Sequence, residues 1–197
     1  MKTEVLVIGA GPAGSTAAMG LARDHDVVLL EEHPRPGSPI QCAGLVTPRG
    51  VPEFASGSVL NRVRRARIHS PLGYTLALEA KGTRAYVVDR ARFDMMLFER
   101  AVDQGASAMS GAKAVSVGQG DDGVSVSVES GDGLVEVSCA VAIGCDGYRS
   151  ATRKATGLPP AKHMLTGIQA DLVGVEIDPE SVELYLGSKV APGFFAW

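Results

Sequence analysis

EVLVIGAGPAGSTAAMGLARDHDVVLLEE, residues 4–32, decides the fold of this 197-residue chain. Apolar runs at 5–8 and 27–30 predict two strands, and the small residues between them predict a helix. Gly9, Gly11 and Gly14 have the spacing of a βαβ dinucleotide site. The first allows a tight turn, the second lets the backbone approach a pyrophosphate, and the third lets helix and strand pack closely.

The second predicted strand ends in two acids, Glu31 and Glu32. Glu31 follows Gly11 by 20 positions, where a carboxylate can accept hydrogen bonds from the ribose hydroxyls of an adenosine. The helix between the strands would turn its unpaired N–H groups and the positive end of its dipole toward the phosphates. A glycine-rich turn without a ligand is the alternative. The candidate nucleotide-binding residues of this stretch are Gly9, Gly11, Pro12, Ala13, Gly14, Glu31 and Glu32.

Composition narrows the class of protein. A chain of this length that is 45% hydrophobic can bury a core, and its net charge of −3 argues against a nucleic-acid partner. Cys42, Cys139 and Cys145 lack metal-ligand spacing, which predicts reduced thiols, no metal and a cytoplasmic location. Residues 5–22 carry no charge, but the glycines among them and the strand that follows argue against a signal peptide or a transmembrane helix.

About fifty residues of other structure separate the second predicted strand from the next helix. Alternating apolar stretches at 59–69 and 74–79, joined by Ser70-Pro71-Leu72-Gly73, predict a β-hairpin there. A plain NAD-binding unit would place its third parallel strand after only one more helix. A nucleotide domain that is interrupted by an antiparallel excursion and then resumed suits FAD better than NAD.

The nucleotide domain is predicted to resume at Asp89, a candidate helix N-cap. Phe93, Leu97 and Ala101 recur at helical spacing until Gly105 ends the helix. Strands are expected at 107–117, 123–129, 134–138 and 140–144. The last is an apolar run that leads into Asp146-Gly147.

Two further segments resemble signatures of flavoproteins with the p-hydroxybenzoate hydroxylase-type fold. They are VDRARFD at 88–94 and GCDGYRS at 144–150. The resemblance implies that Arg90 lies beside the flavin and that Asp146 and Gly147 belong to a motif that contacts FAD. Taken alone, Arg90 could be a solvated first-turn residue of a helix, and Asp146 could be a helix cap.

Two more segments are similar to archaeal-type geranylgeranyl reductases, including those that act on digeranylgeranylglycerophospholipids. PIQCAGLV at 39–46 resembles their cysteine loop, which implies that Cys42 and Ala43 lie near the cofactor. LYLG at 184–187 and APGFFAW at 191–197 resemble a strand and the start of an aromatic motif, which implies substrate contacts by Tyr185, Phe195 and Trp197. Phe195 stands where the family has tyrosine, so that hydroxyl is missing here.

The resemblance implies an α/β fold: a Rossmann-like FAD-binding domain followed by the beginning of an antiparallel substrate sheet. The FAD-binding domain is expected over 1–160, interrupted at about 50–81, and residues 161–197 would supply the first substrate strands. Family members are about twice as long. The chain is therefore interpreted as an N-terminal portion, without the second Gly-Asp flavin signature and with an unpaired sheet edge.

The activity implied by the resemblance is FAD-dependent saturation of carbon–carbon double bonds in C20 isoprenoid lipids. Ferredoxin and NAD(P)H are both open as electron donors, and peripheral contact with the inner face of the membrane is expected. Cys42 is the candidate proton donor, with a small buried hydrophobe as the alternative. A flavin monooxygenase or halogenase of the same fold, and an inactive nucleotide-binding fragment, are the alternative functions.

One basic cluster remains, formed by Arg62, Arg64, Arg65 and Arg67. Strand alternation would put the first two on one face and the last two on the other. A solvated edge strand is the favoured interpretation, and a phospholipid head-group site is the alternative. Cys139 and Cys145 are predicted to be core residues.

Overall fold

The computed structural model describes residues 1–131 and 133–197. Short 3-10 helices occupy Pro48–Gly50, Glu53–Ser58 and Gly147–Arg149. The other elements, in chain order, are β1 (Lys2–Ile8), α1 (Pro12–Leu21), β2 (Val27–Glu31), β3 (Leu45–Val46), β4 (Val59–Val63), β5 (Arg65–His69), β6 (Thr75–Glu79), β7 (Ala85–Val88), α2 (Arg90–Asp103), β8 (Ser107–Ser110), β9 (Lys113–Gly120), β10 (Gly123–Ser130), β11 (Gly133–Gly144), α3 (Ala151–Ala155), β12 (Ser181–Leu186) and β13 (Phe195–Ala196).

Two compact units make up the described chain. The first combines Met1–Gln41 with Arg90–Ala161, and the second combines Cys42–Asp89 with Lys162–Trp197. The hairpin region and the C-terminal strands thus belong to the same unit, because β12 pairs with β5.

The first unit is a six-stranded sheet in the order β8-β2-β1-β11-β10-β9. Strand β1 runs parallel to both β2 and β11, and β2 runs parallel to β8. The predicted βαβ arrangement is therefore present. Both faces of this sheet pack against a hydrophobic core cluster. This explains why β1 and β2 contain continuous apolar runs in the sequence, since strands that are buried on both faces have apolar residues at successive positions.

Chain order reverses at β1 in this sheet. After β1 the chain forms β2 and β8 on one side, and β11 lies on the other side of β1. Ile8 and Gly144, the last residues of β1 and β11, are register partners. Open α/β sheets bind ligands outside the carboxyl ends of their strands at such a reversal. The turns after β1 and β11 therefore occupy the position where this fold places a ligand.

The strand boundaries differ from the expectation at two places. The segment expected at 107–117 is two strands, because Gly111 adopts a left-handed φ of +66° and donates a hydrogen bond to the carbonyl oxygen of His33. The segments expected at 134–138 and 140–144 are one strand, β11. Its first part pairs with β10 and its second part pairs with β1, so two different partners hold one continuous strand.

The second unit contains two sheets, in the orders β3-β7-β4 and β13-β12-β5-β6. The predicted hairpin is formed by β5 and β6, and the expected strand at 59–69 breaks at Arg64 because β4 pairs with β7 instead. The edge-strand interpretation of the basic cluster is wrong for Arg65 and Arg67. They lie on β5, between β12 and β6. Only Arg62, on β4, lies on an edge strand.

The sheet that contains β5 has two chemically different faces, because paired residues share a face and neighbours along a strand alternate. One face is polar, with Arg65, Arg67, His69, Thr75, Glu79, Glu183 and Tyr185. The other is apolar, with Ala66, Ile68, Leu76, Leu78, Val182, Leu184, Leu186 and Phe195. Residues 158–178 form no helix or strand, so the substrate-sheet strands expected within residues 161–197 begin only at β12.

Within the described residues, no helix combines the length and apolarity that crossing a bilayer requires.

Candidate functional site

The three glycines of the turn after β1 are needed for different reasons. Gly9 has a φ of +99°, and a Cβ there would lie 2.4 Å from the carbonyl oxygen of Cys145. A Cβ at Gly14 would lie 1.8 Å from the carbonyl oxygen of Gly9. A Cβ at Gly11 would meet nothing within 4 Å. Packing therefore requires glycine at positions 9 and 14, whereas the space beside Gly11 is left open by the fold.

Helix α1 begins directly at this turn. Gly11 is its N-cap, Pro12 occupies the first helical position, and the first turn carries no acidic side chain. The first amides of an α-helix have no partner within the helix and carry the positive end of its dipole. The buried Ser15 donates from Oγ to the carbonyl oxygen of Ala10 at 3.0 Å and fixes the turn from inside. The open space at Gly11 therefore adjoins a site suited to an anion.

The two acids at the end of β2 behave differently. Glu31 is buried, and its Oε2 accepts a hydrogen bond from the backbone N–H of Ala10 at 3.0 Å. Its Oε1 accepts from the backbone N–H of His33 at 2.9 Å and lies 2.8 Å from Nδ1 of the same residue. Glu32 is about half exposed, and its Oε2 lies 3.2 Å from Nζ of Lys113. Only Glu31 is brought to the glycine turn.

The segment that follows β11 lies against the same turn. Asp146 Cα would be 3.1 Å from a Cβ at Gly9, so the first and the last predicted FAD motifs are neighbours. The Oδ2 of Asp146 accepts from the backbone N–H of Thr152, in the first turn of α3, at 3.1 Å. The N-cap of α3 is Ser150, whose Oγ accepts from the backbone N–H of Arg153 at 2.8 Å. Gly147 has a φ of +65°, and a Cβ there would meet nothing within 4 Å.

Arg90 is tied to its own helix. Its Nε and Nη2 donate to Asp94 at 3.0 and 2.8 Å, and the Asp94 side chain is only 5% exposed. The loop after β2 closes on this pair, because a Cβ at Gly37 would lie 2.9 Å from the Arg90 carbonyl oxygen. Arg90 is therefore a fixed, largely buried cation rather than a solvated first-turn residue.

The three cysteines have different surroundings. Cys139 is buried in the core of the first unit, and burial raises the pKa of its thiol. Burial also raises the pKa of the half-buried Cys145 thiol, and the carboxylate of Asp146 raises it further. Cys42, in the second unit, is exposed, so the interpretation of it as a small buried hydrophobe is wrong. Its neighbour Ala43 is half-buried.

The three candidate substrate residues do not share one surface. Tyr185 pairs with His69 and Ala196 and lies on the polar face of its sheet, where its ring stacks on His69 with centroids 4.5 Å apart. Phe195 lies on the opposite face, and Trp197 makes an edge contact with it at 6.1 Å. One substrate surface can therefore include Phe195 with Trp197, or Tyr185, but not all three.

Three of the four arginines of the basic cluster pair with acids within the second unit. Arg64 lies 2.8 Å from Glu79 and 2.9 Å from Glu180, and Arg65 lies 2.7 Å from Asp178. Arg67 faces Glu183, with 3.7 Å between the charged atoms. Arg62 instead stacks on the ring of Tyr86, with 5.3 Å from its guanidinium carbon to the ring centroid. Since carboxylates already occupy Arg64, Arg65 and Arg67, the phospholipid head-group interpretation has no support at these three arginines.

Two residues of the site were missed by the sequence analysis. Asp94 follows Arg90 by four positions, a spacing that pairs opposite charges on one helix face, so it could have been found. His33 carries no such signal. Its contact with Glu31 depends on how the chain turns after β2.

A family model described as FAD binding domain matches residues 2–194, so the chain belongs to this family. The cofactor is FAD, as predicted. The described residues fit it: the carboxyl ends of β1 and β11 meet at a helix N-terminus without acidic side chains, beside the open space at Gly11.

Relatives with assigned names point to one group within the family. Digeranylgeranylglycerophospholipid reductase 2 of Methanothermobacter thermautotrophicus is 37% identical over 100% of this chain and 54% of its own length. The chain spans about half the length of the curated relatives it matches. The predicted resemblance to geranylgeranyl reductases is confirmed.

Solved structures that are similar to this chain include a reductase-like protein and a hydroxylase. A geranylgeranyl bacteriochlorophyll reductase-like protein from Thermoplasma acidophilum is 26% identical, with a TM-score of 0.80 over 95% of this chain and 51% of that one. An anhydrotetracycline hydroxylase from Streptomyces rimosus is 29% identical, with a TM-score of 0.65 over 80% of this chain and 34% of that one. The predicted α/β fold class, a Rossmann-like FAD-binding domain of the hydroxylase type with added antiparallel strands, is confirmed.

Proposed function

We propose that this member of the FAD binding domain family acts in the FAD-dependent saturation of double bonds of geranylgeranyl chains in archaeal-type lipids. One observation carries the proposal. The reductase-like structure matches 95% of the chain with a TM-score of 0.80, whereas the hydroxylase matches 80% with a TM-score of 0.65. Two curated relatives that carry the reductase name match 100% of the chain.

The proposed cofactor contacts follow the geometry of the first unit. The N-terminus of α1 binds the pyrophosphate of FAD beside Gly11, and Glu31 accepts a hydrogen bond from the ribose of the adenosine. Arg90, fixed by Asp94, and the turn at Asp146 and Gly147 complete the proposed set of contacts.

The proposed reaction needs a hydride and a proton at an isolated alkene. Reduced FAD supplies the hydride when bound. An isolated alkene accepts hydride poorly, so the protein must hold it close, exclude water and supply a proton to the less substituted carbon. Cys42 Sγ is the proposed proton donor, since the thiol is exposed and the surrounding loop resembles the reductase cysteine loop. The electron donor is proposed to be ferredoxin or NAD(P)H, and the lipid is reached by peripheral contact at the inner face of the membrane.

The activity is tested with the chain, FAD, a chemical reductant and a geranylgeranyl lipid under anaerobic conditions. The expected product gains one H2 for each double bond reduced, as measured by mass spectrometry. Cys42→Ala should keep FAD binding and slow alkene reduction by about 100-fold, and Cys42→Ser should lie between it and the parent. Cys139→Ala is the control, because that thiol is buried in the core. Equal rates in both Cys42 variants and the parent would remove Cys42 from the mechanism.

A flavin monooxygenase is the second candidate, favoured by the match to the hydroxylase. It predicts NAD(P)H-driven oxygen consumption and no reduced lipid. An inactive nucleotide-binding fragment is the third, since the chain spans about half of its relatives. It predicts no turnover, and the FAD content of the purified chain shows whether it binds the cofactor at all.

A further inference from the structure

His33 lies two residues after the end of β2 and contacts one oxygen of the Glu31 carboxylate with two different groups. Its backbone N–H donates to Glu31 Oε1 at 2.9 Å, and its ring Nδ1 lies 2.8 Å from the same oxygen. An ionised carboxylate only accepts hydrogen bonds, so Nδ1 carries the hydrogen of this contact. The backbone is fixed as well, because the carbonyl oxygen of Glu31 accepts from Ala112 N at 2.8 Å and that of His33 accepts from Gly111 N at 3.0 Å.

The remaining acceptor capacity of Glu31 can be counted. Each carboxylate oxygen offers about two acceptor positions. Both positions of Oε1 are filled by His33, and within the described part of the chain Oε2 has one donor, the N–H of Ala10. One acceptor position remains, on Oε2. A ribose offers two hydroxyl groups, so Glu31 can bind one of them strongly and not both.

We infer that His33 is a positioning residue, which orients Glu31 so that its one remaining acceptor position selects a single ribose hydroxyl of the adenosine of FAD. The inference rests on the proposed FAD contact of Glu31. The side chain of His33 is 36% exposed and that of Glu31 is 9% exposed, so the histidine lies on the solvent side of the carboxylate. Without the ring, the carboxylate would keep its backbone bonds but lose the contact that holds its plane.

The chain offers a matched control. His25 Nδ1 lies 2.7 Å from Glu4 Oε1, and the backbone N–H of Asp26 reaches the other oxygen of Glu4 at 3.4 Å. This histidine–carboxylate pair joins β1 to the segment before β2, at the amino ends of the strands and away from the glycine turn. Loss of His25 should therefore leave nucleotide selectivity unchanged.

The test is calorimetric titration with FAD, ADP, 2′-deoxy-ADP and 3′-deoxy-ADP. The parent should bind ADP about tenfold more tightly than one deoxy form and nearly as tightly as the other, because a hydrogen bond to a charged group is lost in only one of them. His33→Leu should reduce that ratio to less than about threefold and weaken FAD binding about tenfold. His33→Asn, whose amide can replace Nδ1–H, should restore most of the ratio, and His25→Leu should change neither quantity.

Two outcomes separate this inference from the proposal on which it rests. If the parent does not distinguish ADP from either deoxy form, the ribose contact of Glu31 is wrong and the role of His33 falls with it. If the parent distinguishes them and His33→Leu keeps the full ratio, only the role of His33 is wrong. Should the leucine variant fail to fold, His33→Gln replaces it, because its amide does not reach the Nδ1 position. A full ratio in that variant also overturns the inference.

Discussion

The carboxylate of Glu31 and the ion pairs around Arg65 are held in opposite ways. Glu31 is buried and bound by three donors, two of them backbone N–H groups. Arg65 contacts Asp178 and Glu180, whose side chains are more than 40% exposed. Exposed pairs contribute little free energy because water screens them, whereas a buried carboxylate must be satisfied. The surroundings of Glu31, which contain fewer charges than those of Arg65, are therefore the better candidate for a specific ligand site.

The largest expected effect tests the packing of the glycine turn. Gly14→Ala places a Cβ 1.8 Å from the Gly9 carbonyl oxygen, so we expect a loss of about 3 kcal/mol or more in the free energy of unfolding, or no folded protein. Gly20→Ala, in the same helix, meets nothing within 4 Å and should stabilise by about 0.5–1 kcal/mol. Denaturant unfolding measures both. Equal stability of the two variants would contradict the packing described for this turn.

Gly11→Val separates ligand binding from folding. Its Cβ enters the open space, and the φ of −65° at this position suits any residue. The free energy of unfolding should change by less than about 0.5 kcal/mol, while FAD affinity falls about 100-fold because the side chain blocks the backbone. Flavin fluorescence titration measures the affinity. If the variant binds FAD as tightly as the parent does, the pyrophosphate does not bind at this turn.

Glu31→Arg is expected to abolish FAD binding, but it also removes the acceptor of two backbone N–H groups. A loss of FAD affinity in that variant could therefore come from destabilisation of the fold or from the lost ribose contact. Gly11→Val avoids this ambiguity because it should leave the fold intact.

Substitution of Asp94 and of Glu79 compares the stability contribution of a buried ion pair with that of an exposed one. Asp94→Ala removes both bonds to Arg90 inside the first unit and should cost about 2 kcal/mol of unfolding free energy. Glu79→Ala removes a contact to Arg64, and the Glu79 side chain is 60% exposed. The loss in the free energy of unfolding should lie below about 0.5 kcal/mol. Thermal or denaturant unfolding compares the two. A larger cost for Glu79→Ala would reverse the ranking of the two clusters.

The smallest expected effect is a pH dependence in the second unit. The hydrogen bond from Arg65 lowers the pKa of Asp178 below its usual value. Its contribution to stability is therefore full above the unfolded pKa of about 3.9 and is lost as the pH falls through the lowered folded pKa. Arg65→Gln should return the pKa of Asp178 toward its usual value, and Arg67→Gln should shift it less, because Arg67 acts on this carboxylate only through its charge and more weakly than Arg65. Carboxyl NMR titration reads the shifts, and a larger shift from Arg67→Gln would contradict the assignment.

The strands and helices of the first unit could be predicted from sequence because their signals are local, although β1 also pairs with the distant β11. The apolar runs, the glycine spacing and the helix from Arg90 to Asp103 each lie within one short segment. Sequence alone could not distinguish the open space at Gly11 from the packed positions of Gly9 and Gly14, because the residue is glycine at all three positions.

The second unit depends on distant contacts. Arg65 pairs with Ser181 across more than a hundred residues, and this pairing puts β5 inside a sheet rather than at its edge. The same pairing, together with the register of β13, puts Tyr185 and Phe195 on opposite faces. Such long-range registers leave no periodic signal in one sequence.

FAD is proposed to bind at the turns after β1 and β11. Amide NMR shift mapping during titration with FAD tests this proposal most directly. The predicted result is a set of shifts at Gly9 to Gly14, at Glu31 and His33, and at Asp146 and Gly147, with small changes around Arg65. Shifts confined to Arg65, Arg67 and Ser181, with the glycine turn unchanged, would contradict the claim.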